Sequence, residues 1–262
     1  MQKIFIPALN TLTLVLTIFF NYWAAYGYFN DVSVESIDRT YKCLYFPDNY
    51  VHTIWALVYL GMIALLIFQW RETIAGKNGG EITGIWMTIT NVANSLWIYS
   101  WSSQLPGLSI LFMFFLLMSL LVQAMLFNME CWDAPVRIIL FVWWPIGTYL
   151  GLVIFTMFGV VIAFLERWGW TGGPLGEELW AVILLSLTTV VYIMLVFTRN
   201  MRETALVGAW MIFGTVVRHW FDHPAVAYAS LIMVALILTV VVWHGYKNRA
   251  GSVFAKIKGG DF

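Results

Sequence analysis

Charged residues divide this chain into long apolar runs. No Asp, Glu, Lys or Arg occurs between Lys3 and Asp31, or between Asp48 and Arg71. The other uncharged runs are 82–129, 138–165, 179–198, 204–217 and 223–246. A helix that crosses a bilayer needs roughly 20 apolar residues. Since the runs are solidly apolar and do not alternate with polar positions, they predict helices and argue against membrane strands.

The run 82–129 is too long for a single helix. Its break is the segment Gln104-Leu-Pro-Gly107, because Pro and Gly both terminate helices. The pattern therefore predicts an all-α integral membrane protein, a polytopic bundle of about eight transmembrane helices. The predicted spans lie near 5–28, 50–70, 82–103, 107–128, 136–163, 179–198, 203–220 and 225–246. The seventh is the shortest, and the sequence leaves open whether it crosses fully.

Lys and Arg indicate the orientation, because the cytoplasmic loops of membrane proteins carry an excess of both. With a cytoplasmic N-terminus, ten of the 14 Lys and Arg residues fall on the cytoplasmic side. The other four are Arg39, Lys42, Arg167 and Arg218. We therefore expect a multi-pass protein of a bacterial inner membrane, with both termini in the cytoplasm.

The composition agrees with a membrane protein. Hydrophobic residues make up 61% of the chain and charged residues 11%, against about 25% charged in an average soluble domain. The net charge is zero, so no basic surplus is available to hold nucleic acid. The 15 Trp exceed what two interfacial belts need. Cys43 and Cys131 fall on opposite sides of the membrane, which excludes a disulfide between them within the chain and leaves no Cys-rich metal site.

Signatures of catalysis and of ion transport are missing from the sequence. No predicted span carries an ionisable side chain near its centre, where ion-coupled transport normally needs one. No phosphate-binding loop, zinc motif or nucleophile elbow occurs. We expect no enzyme, no catalytic residue and no certain cofactor. His219 and His223 have a spacing that holds a metal on a helix, but Pro224 follows at once, so we expect solvated histidines and no metal site.

Two spans carry aromatic and polar side chains on one helical face. These residues are His52, Trp55 and Tyr59 in the second span, and Asn94, Trp97 and Trp101 in the third. Together they predict a cavity for a flat, mostly apolar ligand. The alternative is a belt of Trp and Tyr at the membrane surface, with Asn hydrogen-bonding between helices.

The fifth span contains the small-residue pattern Gly147-Thr-Tyr-Leu-Gly151, with Gly159 two turns further on. Such glycines permit close contact between membrane helices. The sequence leaves open whether the contact lies within the chain or between protomers.

Several segments resemble the TspO/MBR family, the tryptophan-rich sensory or translocator proteins. The matching segments are Phe46-Pro47, the W-x-x-x-Y of Trp55 and Tyr59, the N-x-x-W of Asn94 and Trp97, and Trp143-Trp-Pro145. They are similar, in order and spacing, to the start of the family's second helix, its third helix and the start of its fifth. The likeness covers residues 1 to about 165.

Members of that family fold as five-helix bundles, often dimeric, and bind tetrapyrroles, sterols and other apolar ligands under their first long loop. The resemblance implies that the W-x-x-x-Y and N-x-x-W residues line such a pocket here and that the loop 30–48 covers it. Tyr149 stands where the family has a Trp, and His52 replaces a Gly. We therefore predict seven ligand-binding residues and leave the ligand's identity open. They are His52, Trp55, Tyr59, Asn94, Trp97, Trp101 and Tyr149.

Residues beyond 165 add about three helices that the five-helix members lack. We predict a TspO/MBR-like five-helix domain at 1–165, a three-helix membrane segment at 166–246 and a basic cytoplasmic tail at 247–262. We see no repeat that links the added helices to the first five.

These observations favour a membrane protein of TspO-like type that senses or translocates an apolar, planar ligand such as a tetrapyrrole, sterol or carotenoid. Its expected partners are membrane lipid, that ligand, and a second copy of the chain or a larger membrane complex. The alternative is a structural or pigment-associated accessory subunit of such a complex. A third function, oxidative breakdown of a bound porphyrin, rests on the family alone, because no acid–base pair supports it.

Overall fold

The computed structural model describes residues 2–31, 33–34, 36–37, 43–170, 173–249 and 253–260. Within these ranges the chain forms eight long helices and no β-strand. The helices are α1 (Gln2–Ala25), α2 (Ile54–Ile74), α3 (Trp86–Ser102), α4 (Pro106–Leu126), α5 (Trp144–Arg167), α6 (Gly176–Arg199), α7 (Arg202–His219), α8 (Pro224–Lys247) and the short α9 (Val253–Lys258).

Six of the described helical stretches are long and apolar enough to cross a membrane. The two long helices outside this group are α3, with 17 residues, and α7, with 18. Helix α3 carries many amides and hydroxyls, and α7 has charged residues in its first and last turns. The predicted all-α membrane fold is confirmed, whereas eight complete crossings stay a prediction.

The first five helices form a closed ring. Helix α1 packs against α2 and α3, α3 against α4, α4 against α5, and α5 against α2. Helices α6, α7 and α8 pack on one another, and α7 joins them to the ring by lying along α5. Helix α5 is consequently the most deeply buried of the described apolar helices.

A proline lies in the first turn of three helices, Pro106 in α4, Pro145 in α5 and Pro224 in α8. Helix α3 ends at Ser102 and α4 begins at Pro106, with Gln104 in a left-handed turn between them (φ 54°). Before Pro145, the segment Ile139–Trp143 forms a π-helical turn. A proline has no N–H to donate to the preceding turn, so the regular hydrogen-bond pattern is interrupted at this point. The helix break predicted at Gln104–Gly107 is confirmed by the end of α3 at Ser102 and the start of α4 at Pro106.

A line of buried amides and hydroxyls joins α1 to α3. Thr17 Oγ1 donates to the carbonyl of Asn91 at 2.8 Å, and Asn91 Nδ2 donates to Thr13 Oγ1 at 3.1 Å. Further along α1, Asn21 Nδ2 donates to Asn94 Oδ1 at 2.6 Å. Hydrogen bonds of this kind between membrane helices contribute about 0.6 kcal/mol each on average, so the line fixes the register of α1 against α3.

The glycines of α5 form the contact between the ring and the added helices. Thr204 Oγ1 of α7 donates to the carbonyl of Gly147 at 2.8 Å, and Tyr192 OH of α6 donates to that of Gly151 at 2.7 Å. A Cβ at Gly151 would lie 2.6 Å from the Thr204 carbonyl oxygen. The small-residue pattern therefore serves a contact within the chain.

Helix α9 lies at the end of the molecule opposite the loop that precedes α2. Its Lys256 forms an ion pair with Asp133, in the connection between α4 and α5, at 2.5 Å. Of the predicted tail 247–262, residues 250–252 and 261–262 lie outside the described residues.

Candidate functional site

A cavity of about 380 Å³ lies inside the ring of the first five helices. Helices α1, α2, α3 and α5 supply most of its wall, the connection before α2 supplies Val34, Phe46 and Pro47, and α7 supplies Met211. None of the described lining residues is Asp, Glu, Lys, Arg or Cys. Ligand pockets for small molecules have volumes of roughly 300–1,000 Å³ and mostly apolar walls with few polar groups, and this cavity has both properties.

One side of the cavity is a stack of aromatic rings centred on Trp55. The Trp55 ring lies 5.9 Å from that of Trp97, with 21° between the planes, and 5.5 Å from that of Tyr59, with 25° between the planes. Tyr149 meets Trp55 edge-on at 6.0 Å. Nearly parallel indoles present a flat, polarisable surface, which suits a planar apolar ligand.

Two side chains of this stack are also hydrogen-bond donors. The Trp97 side chain is buried, with 4% exposed, and its Nε1 donates to no acceptor among the described residues. The hydroxyl of Tyr59 is likewise buried and without a hydrogen-bond partner. A buried donor without an acceptor costs about 1–3 kcal/mol, so a ligand acceptor that reached either atom would stabilise this wall.

The seven predicted site residues fall into two groups. Those that line the cavity are His52, Trp55, Tyr59, Trp97 and Trp101. Asn94 and Tyr149 are fully buried behind the wall. Asn94 accepts the hydrogen bond from Asn21, which does line the cavity, and Tyr149 supports the Trp55 ring. Whether any of the seven binds a ligand stays a prediction.

Sequence reasoning missed much of the apolar wall. Ile18 and Tyr22 of α1, Phe155 of α5 and Met211 of α7 all line the cavity. An apolar residue in an apolar helix gives no signal of which way it faces, so these positions could not be singled out. Residues 38–42 of the predicted covering loop 30–48, Arg39 and Lys42 included, lie outside the described residues.

A scan against protein-family models matches residues 7–243 to a family described as TSPO-like protein. The match begins within α1 and ends within α8, so it includes most of the three added helices. The chain belongs to the TSPO-like family. No curated protein and no solved structure matches it.

In this TSPO-like protein, the histidines near the cavity make separate contacts. His223 Nδ1 lies 2.9 Å from Glu178 Oε1, in an ion pair when the imidazole is protonated. His219 is buried beside it, with the two rings 5.6 Å apart, so the prediction of a solvated side chain is wrong for His219. Across the described residues, no three His, Cys, Asp or Glu side chains come close enough to hold a metal ion.

Two ionisable groups of this TSPO-like protein, both outside the cavity lining, have a raised pKa. At the opposite end of the bundle, Asn200 Nδ2 donates to Glu130 Oε2 at 2.7 Å. Burial raises the pKa of the Glu130 carboxyl, although this hydrogen bond and the nearby Arg202 and Lys256 act in the other direction. Close to the cavity, burial raises the pKa of the Cys43 thiol to about 11. The thiol is therefore protonated at neutral pH.

Proposed function

We propose that this TSPO-like protein binds a planar, apolar ligand of tetrapyrrole, sterol or carotenoid type in the cavity between α1, α2, α3 and α5. The observation that supports this most directly is the pair of stacked indoles of Trp55 and Trp97 on the cavity wall. Two contributions stabilise the binding of such a ligand: contact of its ring with the indoles, and removal of its own apolar surface from water.

The unpaired donors narrow the chemistry of the ligand. Trp97 and Tyr59 line the cavity, and the Trp97 Nε1 and the Tyr59 hydroxyl are buried and lack acceptors among the described residues. A ligand that carries a carbonyl, a carboxylate or an imine-type ring nitrogen offers an acceptor to such donors, whereas a plain hydrocarbon offers none. We therefore favour a tetrapyrrole or an oxygenated sterol over an unsubstituted carotene.

The proposed role is binding, for sensing or translocation, without catalysis. The described wall contains no Asp or Glu, so no carboxylate is placed to act as acid or base beside the ligand. We further propose that all eight long helices cross a bacterial inner membrane, with both termini in the cytoplasm. A second copy of the chain is the partner that we propose for the outer surface.

The test is a titration of the detergent-solubilised protein with protoporphyrin, followed by quenching of tryptophan fluorescence. Saturable quenching at micromolar or lower ligand is expected for the wild type. The double variant Trp55→Phe/Trp97→Phe should lose the saturable part, because both stacked indoles are replaced by smaller rings.

The matched control is Trp168→Phe/Trp243→Phe, which also removes two indoles. Trp168 is 78% exposed and Trp243 is 52% exposed, and neither lines the cavity. This control should keep saturable binding. Linear quenching that is equal in all three proteins would show only that the porphyrin partitions into the micelle, and it would refute the proposed site.

A further inference from the structure

The connection before α2 is fastened to α7, a helix that lies about 160 residues further along the chain. We use the name strap for residues 43–53. The hydrogen bonds that join the two include four with these distances: Asp48 N to Gly214 O at 3.0 Å, Thr215 Oγ1 to Tyr45 O at 3.2 Å, Arg218 Nη1 to Pro47 O at 3.2 Å, and Trp210 Nε1 to Val51 O at 3.4 Å. All four involve the backbone of the strap.

The strap and α7 approach each other at Gly214. A Cβ at this position would collide with Val51 Cγ1 and would lie 2.8 Å from Pro47 Cβ. Real Cβ atoms essentially never come so close to other atoms, so one of the two elements would have to move. Glycine at 214 is therefore a requirement of the contact between strap and helix.

The strap is part of the cavity and not only a connection near it. Phe46, Pro47 and His52 of the strap line the cavity, as does Met211 of α7. Tyr45 of the strap is also anchored. Its hydroxyl donates to the carbonyl of Phe155 on α5 at 3.2 Å and lies 3.1 Å from Thr188 Oγ1 on α6. Releasing the strap would thus remove one wall of the cavity.

We propose that α7 is a clamp that holds the strap closed over the cavity, so that Gly214, Thr215 and Arg218 are positioning residues that set how fast the ligand exchanges. The part that concerns the ligand rests on the proposed function. The cavity is partly open, because its lining residue Tyr22 is 53% exposed. On the side that the strap covers, a ligand leaves through local opening, whose free energy depends on the bonds that must break. The hydrogen bonds between the strap backbone and α7 make this opening costly, and the five-helix ring does not supply them.

Cys43 gives a measure of strap opening that needs no ligand. It is at the first residue of the strap and is half-buried, and the only other cysteine of the chain is Cys131. In a Cys131→Ser background, the rate of alkylation by a maleimide at neutral pH reports how often the strap exposes this thiol. Gly214→Ala should raise that rate about tenfold, the factor that corresponds to a loss of 1.4 kcal/mol from the closed state.

Gly208→Ala is the matched control on the same helix. A Cβ there collides with the ring of Tyr192 on α6 and with no strap atom among its nearest neighbours, so it disturbs the packing of α7 without a direct clash at the contact in question. Its Cys43 rate should stay near that of the parent. Equal rates in parent, Gly214→Ala and Gly208→Ala would overturn the clamp, and so would equal acceleration in both variants.

Thr215→Val covers the case in which Gly214→Ala does not fold. It removes only the hydrogen bond to the Tyr45 carbonyl, keeps the shape of the side chain, and should accelerate alkylation by a smaller factor. An unchanged rate in this variant, measured on folded protein, would count against the clamp.

A second experiment measures the dissociation rate of bound protoporphyrin, followed by recovery of tryptophan fluorescence. The clamp predicts faster dissociation in Gly214→Ala than in Gly208→Ala, and equal rates would refute its effect on exchange. A wild type without saturable porphyrin binding would refute the proposed ligand instead, and the alkylation rates alone would then support or overturn the clamp.

Discussion

At the scale of the residue, Trp55 is the centre of the cavity wall. Its ring contacts Tyr59, Trp97 and Tyr149. The sequence predicted this group because Trp and Asn at helical spacing are conspicuous in an apolar span. It could not predict that Asn94 and Tyr149 lie behind the wall, since a helical face does not specify the depth of each side chain.

Truncation of either indole should weaken binding without unfolding the protein. Trp55→Ala and Trp97→Ala are each expected to cost roughly 1–3 kcal/mol of binding free energy, as the loss of an aromatic anchor does. Dissociation constants for protoporphyrin, with circular dichroism to check folding, measure this. Unchanged affinity in both variants would refute the assignment.

The two truncations should also be coupled. Because the rings stack on each other, the double variant should lose less than the sum of the single losses, by about 0.5–1.5 kcal/mol. A complete double-mutant cycle on the same dissociation constants gives this coupling. Strict additivity would mean that the two indoles do not act as one surface.

At the scale of the element, charges and Pro/Gly positions in the sequence located the helix ends. Which helix faces contact one another depends on packing, which the sequence does not show. The break before Pro106 and the small-residue face of α5 were both visible in the sequence. The contact of Gly214 with the strap was not, because a lone glycine in an apolar helix does not indicate its partner. The same holds for Met211, which α7 contributes to the cavity.

The packing of α5 on α7 gives a stability prediction. Gly151→Ala should lower the free energy of unfolding by about 1–3 kcal/mol, because its Cβ would lie 2.6 Å from a backbone oxygen of α7. Gly61→Ala on α2 is the control, since its Cβ would meet Pro145 at 3.4 Å, close to ordinary contact. The unfolding midpoint in detergent compares the two, and equal midpoints would contradict the packing described for Gly151.

At the scale of the whole molecule, the closed ring of five helices and the three helices joined to it through α7 agree with the TSPO-like family match over residues 7–243. The sequence predicted the helical bundle and the family, because both depend on long apolar runs and on a few motif residues. It left only the crossing of α7 open, and neither α7 nor α3, which was also predicted to cross, is among the six described helices apolar enough to do so, because their polar and charged residues lower the hydropathy.

Topology follows from the number of crossings and is testable with single cysteines. In a background without Cys43 and Cys131, Gln104→Cys and Asp222→Cys should both react with a membrane-impermeant maleimide on intact cells. A cysteine restored at 131 should react only after permeabilisation. Protection of the cysteine at 222 together with reaction at 104 would show that α7 does not cross.

If the cavity between α1, α2, α3 and α5 is the ligand site, a side chain that fills it should prevent binding. Ala56 lines the cavity, whereas its neighbour Leu57 does not and is 53% exposed. The measurement is the dissociation constant for protoporphyrin in Ala56→Trp and in Leu57→Trp. We expect at least about tenfold weaker binding in Ala56→Trp, a loss of 1.4 kcal/mol or more, and wild-type binding in Leu57→Trp. Wild-type binding in both variants would contradict it.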